Sequence, residues 1–317
     1  MFRTRQAPSP TGYLHIGTAR TVLYTKLIAE INAGTFYLRI DDTDRNRLQP
    51  DSVVVLLNAL ESIGLKADEG VTLEPNGPKD DFYGIYQKGD YGPYIQSERV
   101  VTHQKYAQDL IDKKLAYWSY LTPEEKEELQ QIKQTIKKPI NYFKENSQKV
   151  SESELYVDVN QALHDARKPV LMFRLQRNEV ITCKDELLGE TKFDLSLEED
   201  FGILKSDGYP TYHLAHMVDD HEMKTSLVIR SQEWYPSMPK HVTMFNDFFG
   251  SPLKYMHIPF ILGETGNKKM SKRDGNVNAQ EYLDKGFLPE AIINYLAFLG
   301  WNPGTEKELY LNQEDFI

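Results

Sequence analysis

The sequence predicts an α/β protein built on a doubly wound parallel sheet, interrupted by an inserted α+β unit and closed by a C-terminal helical region. Three observations predict it. The opening alternates strand, helix and strand: Phe2 to Arg5 reads as a strand, Val22, Leu23, Leu27, Ile28 and Ile31 give a following helix one apolar stripe, and Thr35 to Ile40 reads as the next strand. Parallel strands joined by a crossover helix imply a doubly wound sheet that binds ligands at the carboxyl ends of its strands. Between about residues 81 and 205 the character changes to Tyr-, Lys- and Glu-rich helical stretches, followed by strand-like runs at Val170 to Leu175 and Glu179 to Cys183. Strand character then returns at Leu227 to Ile229, and Pro289 to Leu299 reads as a helix with proline in its first turn and Gly300 as C-cap. Another helix is expected to start over Leu309 to Ile317. The expected division is residues 1–80 and 206–262 for the two halves of the parallel fold, 81–205 for the insertion, and 263–317 for a basic loop and a helical region.

Composition narrows the functional classes. Residues of the hydrophobic set make up 40% of the 317, with 14 Phe, 19 Tyr and 3 Trp, too apolar and aromatic for a disordered chain. A formal net charge of −10 excludes binding to nucleic acid through bulk positive charge, so an RNA partner must be met by a local basic face. One such segment is Gln130 to Lys149, where Lys133, Lys137, Lys138, Lys144 and Lys149 face a single acid, Glu145; a solvated helix face explains it equally well. The lone cysteine, Cys183, can form neither an internal disulfide nor a thiolate metal site by itself. The N-terminus has no apolar signal core and the longest aliphatic run is Val53 to Leu57, so a cytoplasmic protein without a membrane span is expected.

Two segments carry chemistry. Ala7-Pro8-Ser9-Pro10-Thr11-Gly12-Tyr13-Leu14-His15-Ile16-Gly17-Thr18 lies between the first strand and the first helix. There Gly17 lets a nucleotide approach the backbone, the helix N-terminus offers N–H groups to phosphate, and His15 can donate a hydrogen bond to it. Lys268-Lys269-Met270-Ser271-Lys272-Arg273 is a cationic loop 254 residues further on (269 − 15). Its ammonium groups can follow charge building on a triphosphate as pyrophosphate departs. Alone, a lysine-rich loop is more often a solvated turn; paired with the first segment, that reading loses ground.

The pair resembles the HIGH and KMSKS signatures of class I aminoacyl-tRNA synthetases. Longer matches resemble glutamyl-tRNA synthetase: Thr4 to Ala19, Leu38-Arg39-Ile40-Asp41-Asp42-Thr43-Asp44-Arg45, Lys205-Ser206-Asp207-Gly208-Tyr209-Pro210-Thr211-Tyr212, Val218-Asp219-Asp220-His221, Val228-Ile229-Arg230 and Gly286-Phe287-Leu288-Pro289-Glu290-Ala291. They run collinear with the family along essentially the whole chain. The resemblance implies a Rossmann-type catalytic domain, an inserted tRNA acceptor-binding domain and a stem-contact region, without the family's anticodon-binding domain, as in a truncated enzyme. It implies activation of L-glutamate with ATP and Mg2+ to glutamyl-adenylate, then transfer to the 3′-terminal ribose of tRNA(Glu), by a monomer. By position, it assigns Arg5, Ser9, Asp41, Tyr212 and Arg230 to the amino acid, and His15, Gly17, Thr18, Glu233, Trp234, Leu262, Lys269, Met270, Ser271 and Lys272 to ATP, with His15, Lys269 and Lys272 catalytic. Lys133, Lys137 and Lys138 are assigned to tRNA. A guanidinium pairs a carboxylate in bidentate fashion but leaves an amide unpaired, so glutamate over glutamine should be the sharper choice.

Two departures bear on this. Position 41 is Asp where the family has Glu in RIEDTD, so the carboxylate expected to meet the substrate ammonium is one methylene shorter. Ser119 and Leu121 stand where many members carry Cys-x-Cys, so no zinc is expected. His213, His216, Asp219, Asp220 and His221 include metal-ligand types, but the family match places this run on a strand and loop around the pocket with no metal role. Two rival readings are a glutamyl-queuosine tRNA(Asp) synthetase and a non-catalytic tRNA-binding paralogue; the intact Lys-Met-Ser-Lys-Arg loop speaks against both.

Overall fold

The computed structural model describes residues 1–10, 14–45, 48–176, 178–263, 279–310 and 316. Its strands are β1 (Arg3–Gln6), β2 (Thr35–Leu38), β3 (Glu69–Thr72), β4 (Lys79–Asp80), β5 (Ile85–Lys88), β6 (Ala116–Ser119), β7 (Val170–Phe173), β8 (Val180–Asp185), β9 (Gly189–Asp194), β10 (Phe201–Leu204), β11 (Leu227–Ser231) and β12 (Lys254–Ile258). Its helices are α1 (Ile16–Ile31), α2 (Asp51–Ser62), α3 (Val100–Asp112), α4 (Pro123–Ile136), α5 (Tyr142–Ser147), α6 (Glu152–Leu155), α7 (Val159–Leu163), α8 (Tyr212–Glu222), α9 (Met238–Phe249), α10 (Ala279–Asp284) and α11 (Pro289–Phe298).

The main sheet runs β4-β5-β3-β2-β1-β11-β12-β8-β9. Neighbours from β3 through β8 are parallel, and the antiparallel pairs sit at its two edges. From β1 the chain builds outward on one side through β2 and β3 and later on the other through β11 and β12. The carboxyl ends of β1 and β11 therefore flank a topological switch point, where an open α/β sheet leaves a crevice.

Helix α1 buries more than the stripe expected of it. Ala19, Val22, Leu23, Thr25 and Ala29 are all fully enclosed, whereas Ile31, counted on the stripe, is 55% exposed. The reason is a second partner: α11 covers the face turned away from the sheet, with Tyr24 donating to the Ala297 carbonyl at 2.8 Å and Arg20 to that of Leu299 at 2.6 Å. Pro289 occupies the first turn of α11, but the C-cap is Leu299; Gly300 follows it with φ +150°.

The stretch read as an insertion is divided. Strands β6, β7 and β10 form their own three-stranded antiparallel sheet, but β8 and β9 join the main sheet through β12, and β5 belongs to the opposite edge. The apolar core of the small sheet is shared with the main body: Leu171, Phe173 and Ile203 pack in one cluster with Leu214, Met217 and Val218 of α8. Residues 213–221, expected on a strand and loop, lie within α8. Leu214, Met217 and Val218 recur at helical spacing and bury one face, a periodicity that outweighs the motif-based expectation.

That helix also carries a buried carboxylate, Asp219, fully enclosed and hydrogen-bonded to Arg99 at 2.6 Å, His103 at 2.9 Å and Gln96 at 2.8 Å. These partners lie on α3 and the turn before it, so Asp219 locks the segment leaving β5 to the helix that precedes β11. Asp219→Asn keeps the shape but turns an amide donor toward a cluster of donors. Its expected cost is about 3–5 kcal/mol, that of breaking a buried pair. Denaturant unfolding measures it, and a loss below about 1 kcal/mol would show that the network adds little.

Candidate active site

A cleft of about 1080 Å³ opens at the switch point. One wall is Arg5 and Gln6 at the end of β1, Ile229, Arg230 and Ser231 at the end of β11, and Tyr212 at the start of α8; the opposite wall is the N-terminus of α1 with His15, Gly17 and Thr18. Ser9, Asp41, Glu233 and Trp234 line it too. Ten of the residues singled out from sequence thus surround one space: Arg5, Ser9, His15, Gly17, Thr18, Asp41, Tyr212, Arg230, Glu233 and Trp234. Leu262 lies one residue past the wall formed by Phe260 and Ile261 and is half exposed. Lys269, Met270, Ser271 and Lys272 lie outside the described residues.

His15 is the N-cap of α1. Its Nδ1 accepts from the Gly17 N–H at 2.9 Å, which places the ring proton on Nε2. A Cβ at position 17 would come to 3.2 Å from that Nδ1, so a small residue suits the cap as well as any ligand. The helix N-terminus beside it carries a partial positive charge suited to an anion.

Arg5, Arg20 and Arg230 line the cleft as buried guanidiniums, with Arg39 buried behind it, and they are not equivalent: Arg20 is spent on the backbone carbonyls of Leu299 and Pro259. Arg5 is gripped by Asp220 through Nε and Nη2 at 3.0 and 2.9 Å, leaving the Nη1 edge to meet a ligand. Burial opposes its charge and the Asp220 carboxylate more than offsets it, so its pKa sits above the ordinary guanidinium value. Arg39 holds Asp41 through Nε at 2.6 Å and Nη2 at 3.1 Å. Burial is the largest influence on Asp41 and raises its pKa despite that partner. Arg230 differs: among the described residues its partners are neutral. Nε donates to His257 Nε2 at 2.8 Å, Nη1 to the Tyr212 hydroxyl at 3.2 Å and to His241 Nδ1 at 3.1 Å, and Nη2 reaches the Trp234 carbonyl at 3.4 Å.

The histidines near Arg230 stay uncharged. Burial lowers His213 to about 4 and His216 to about 3, puts His241 well below the ordinary imidazole range, and lowers His257 while Asp185 works in the opposite sense. Of the partners Asp220, His241, His257 and Asp185, only Asp220 was placed near the pocket from sequence, within the run at residues 213–221 and with no role toward Arg5. Their contacts to it span 215, 11, 27 and, between Asp185 and His257, 72 residues, and no spacing rule reaches that far.

The basic segment is partly spent. Lys133 pairs with Glu199 at 2.9 Å and Lys149 with Glu125, while Lys137 and Lys138 are exposed at the end of α4. Ser119 and Leu121 are buried, and the Ser119 hydroxyl accepts from Asn146 at 3.2 Å. Among the described residues no group of three or more His, Cys, Asp or Glu could hold a metal ion, and no helix is long and apolar enough to cross a membrane.

Residues 1–316 match the family model described as tRNA synthetases class I (E and Q), catalytic domain. A glutamate–tRNA ligase of Flavobacterium johnsoniae is 40% identical over 330 residues, covering 98% of this chain and 63% of that protein. One from Clostridioides difficile is 37% identical over 312 residues, with 98% and 61% covered. A crystal structure of a glutamate tRNA ligase from Elizabethkingia meningosepticum, in complex with its amino acid, superposes with TM-score 0.84 at 34% identity, covering 99% of this chain and 63% of that one. The chain thus spans about three-fifths of the length of these relatives.

The neutral histidines set a pH dependence. A histidine whose folded pKa lies below its unfolded value of about 6.5 leaves the unfolded chain binding protons first, so its contribution is complete above that pH and is lost as pH falls. Between pH 7.5 and 5.5 each of His213, His216 and His241 should cost about 1 kcal/mol of unfolding free energy. Denaturant titrations at the two pH values test this, and equal stabilities would mean that these rings take up protons in the fold as they do in the unfolded chain.

Proposed function

The chain belongs to the class I tRNA synthetases of the E and Q kind, and on that premise we propose that it is the catalytic part of a glutamate–tRNA ligase working in the cytosol. The observation that carries the reading is Arg230, a buried guanidinium without a carboxylate partner among the described residues, in the same cleft as a helix N-terminus capped by histidine. The first suits an acidic side chain, the second a triphosphate.

In this reading Arg230 and Tyr212 take the side-chain carboxylate of L-glutamate, Arg5 and Ser9 its α-carboxylate, and Asp41 its ammonium group. His15, Gly17, Thr18, Glu233 and Trp234 hold ATP, and Lys269, Met270, Ser271 and Lys272 follow the leaving pyrophosphate. Mg2+ bound to ATP would neutralise phosphate charge; among the described residues no group of three or more His, Cys, Asp or Glu could hold it independently. The α-carboxylate attacks the α-phosphorus of ATP, forming glutamyl-adenylate and releasing pyrophosphate. A carboxylate is already a nucleophile, so the protein need supply only position and charge. The 2′-hydroxyl of the terminal ribose of tRNA(Glu) then takes the glutamyl group and AMP leaves. Lys133, Lys137 and Lys138 are proposed to meet acceptor-stem phosphates.

With ATP and labelled glutamate, the protein should charge a tRNA(Glu) transcript but not queuosine-modified tRNA(Asp). Absence of glutamyl-adenylate formation with tRNA present would end the proposal. Arg230→Ala is expected to raise the glutamate KM by roughly 100-fold or more, the effect of removing a charged hydrogen-bonding partner. Lys272→Ala should instead lower kcat with little change in that KM; the reverse pattern would exclude a role at the departing phosphates.

A further inference from the structure

Arg230 keeps its place through a relay that crosses three parallel strands. Arg230 on β11 and His257 on β12 are register neighbours, and Asp185, the last residue of β8, pairs in register with Tyr255 two positions before His257. His257 accepts from Arg230 Nε at Nε2, 2.8 Å, and its Nδ1–H donates to Asp185 Oδ2 at 2.7 Å. Asp185 is fixed in turn by backbone N–H groups: His257 at 3.0 Å on Oδ2, Leu187 at 3.0 Å and Leu188 at 2.8 Å on Oδ1. Asp185, His257 and Arg230 are 1%, 0% and 5% exposed.

The relay sets a tautomer. Asp185 is an acceptor only, so His257 must carry its proton on Nδ1, which leaves Nε2 as the acceptor that Arg230 Nε requires. A carboxylate in the place of His257 would also hold the guanidinium, as Asp220 holds Arg5, but would cancel its charge at the cleft. With a neutral ring between them, the Asp185 carboxylate stands two hydrogen bonds away from Arg230. His241 makes a second neutral support, accepting at Nδ1 from Arg230 Nη1, with its Nε2 facing His213 Nδ1 at 2.9 Å.

We propose that Asp185 and His257 are positioning residues for amino-acid specificity, holding the Arg230 fork toward the cleft while denying it a carboxylate of its own, so that the substrate's side-chain carboxylate becomes its counterion. The proposal rests on Arg230 receiving that carboxylate, as in the function proposed above. The titratable and charged groups facing the pair are Asp185 from β8, Arg230 from β11, Tyr212 from α8, Tyr235 from the turn at residues 232–237, His241 from α9, and Tyr255 on the same strand as His257.

The test uses steady-state kinetics of tRNA(Glu) charging by the wild-type protein, His257→Leu and His257→Gln, with thermal unfolding and the ATP KM as controls. Leucine removes the acceptor, and glutamine can present an oxygen where Nε2 stood. His257→Leu is expected to raise the glutamate KM roughly 10- to 100-fold, the worth of a hydrogen bond to a charged group, with kcat and the ATP KM changed by less than about threefold. His257→Gln should recover most of that loss. In wild type, kcat/KM for glutamate should fall on the acid side as a proton on Nε2 comes to face Arg230 Nε–H; in His257→Gln that fall moves to lower pH. The inference is overturned if His257→Leu leaves the glutamate KM unchanged, raises the ATP KM equally, or matches His257→Gln. Wild-type protein that charges tRNA with unaltered variants refutes the relay alone, whereas wild-type protein that fails to use glutamate refutes the relay and the proposed function together.

Discussion

Two adjacent carboxylates on one buried helix, Asp219 and Asp220 of α8, hold the cleft in shape. Burying a guanidinium costs far more than a domain can bear unless a carboxylate meets it at hydrogen-bond distance. Asp220 meets Arg5 and Asp219 meets Arg99, and both lie within 4 Å of Arg39. Burial would raise both carboxyls, and the cations around them hold both below the ordinary carboxylate range instead. Because these residues come from β1, from the segment after β2 and from the turn before α3, one turn of helix fixes pieces of chain that sequence keeps far apart.

Although the chain carries a net charge of −10, the cleft gathers cationic side chains, Arg5, Arg20, Lys205 and Arg230, beside the carboxylates of Asp41, Asp44 and Glu233. The N-terminus of α1 and the uncompensated Arg230 face the same space, where low-dielectric walls focus a field that bulk water would screen. A protein acidic overall can thus receive a polyanion at one place and repel it elsewhere. Arg230 is accommodated without a carboxylate by four donor contacts and by the face of Tyr255, 4.7 Å from its centre, which take the role of hydration.

Much of the fold was legible from the chain because local signals coincided with the global answer. The β1–α1–β2 opening and the apolar run into α11 follow from side-chain periodicity, and Ser9, His15, Gly17, Thr18, Asp41, Tyr212 and Arg230 converge on one cleft because strands of a parallel sheet all end on the same side. The readings that failed did so where a second tertiary partner intervened. A single stripe on α1 was too little once α11 covered its other face. A continuous insertion was too simple once β8 and β9 found β12. A strand and loop at residues 213–221 gave way to a helix whose apolar residues had the small sheet to pack against.

The sequence by itself determined the fold class, the order of its motifs and the residue types available for an acidic amino acid and a nucleotide. Tertiary structure decided which of those residues carry balanced charge and which do not. Arg5, Arg39 and Arg230 are indistinguishable as letters; Asp220 and Asp41 neutralise the first two, and His257 with Asp185 behind it leaves the third uncancelled. That difference comes from strand register between β8, β12 and β11, a relation among residues 27 and 72 positions apart that only backbone hydrogen bonding across the finished sheet can set.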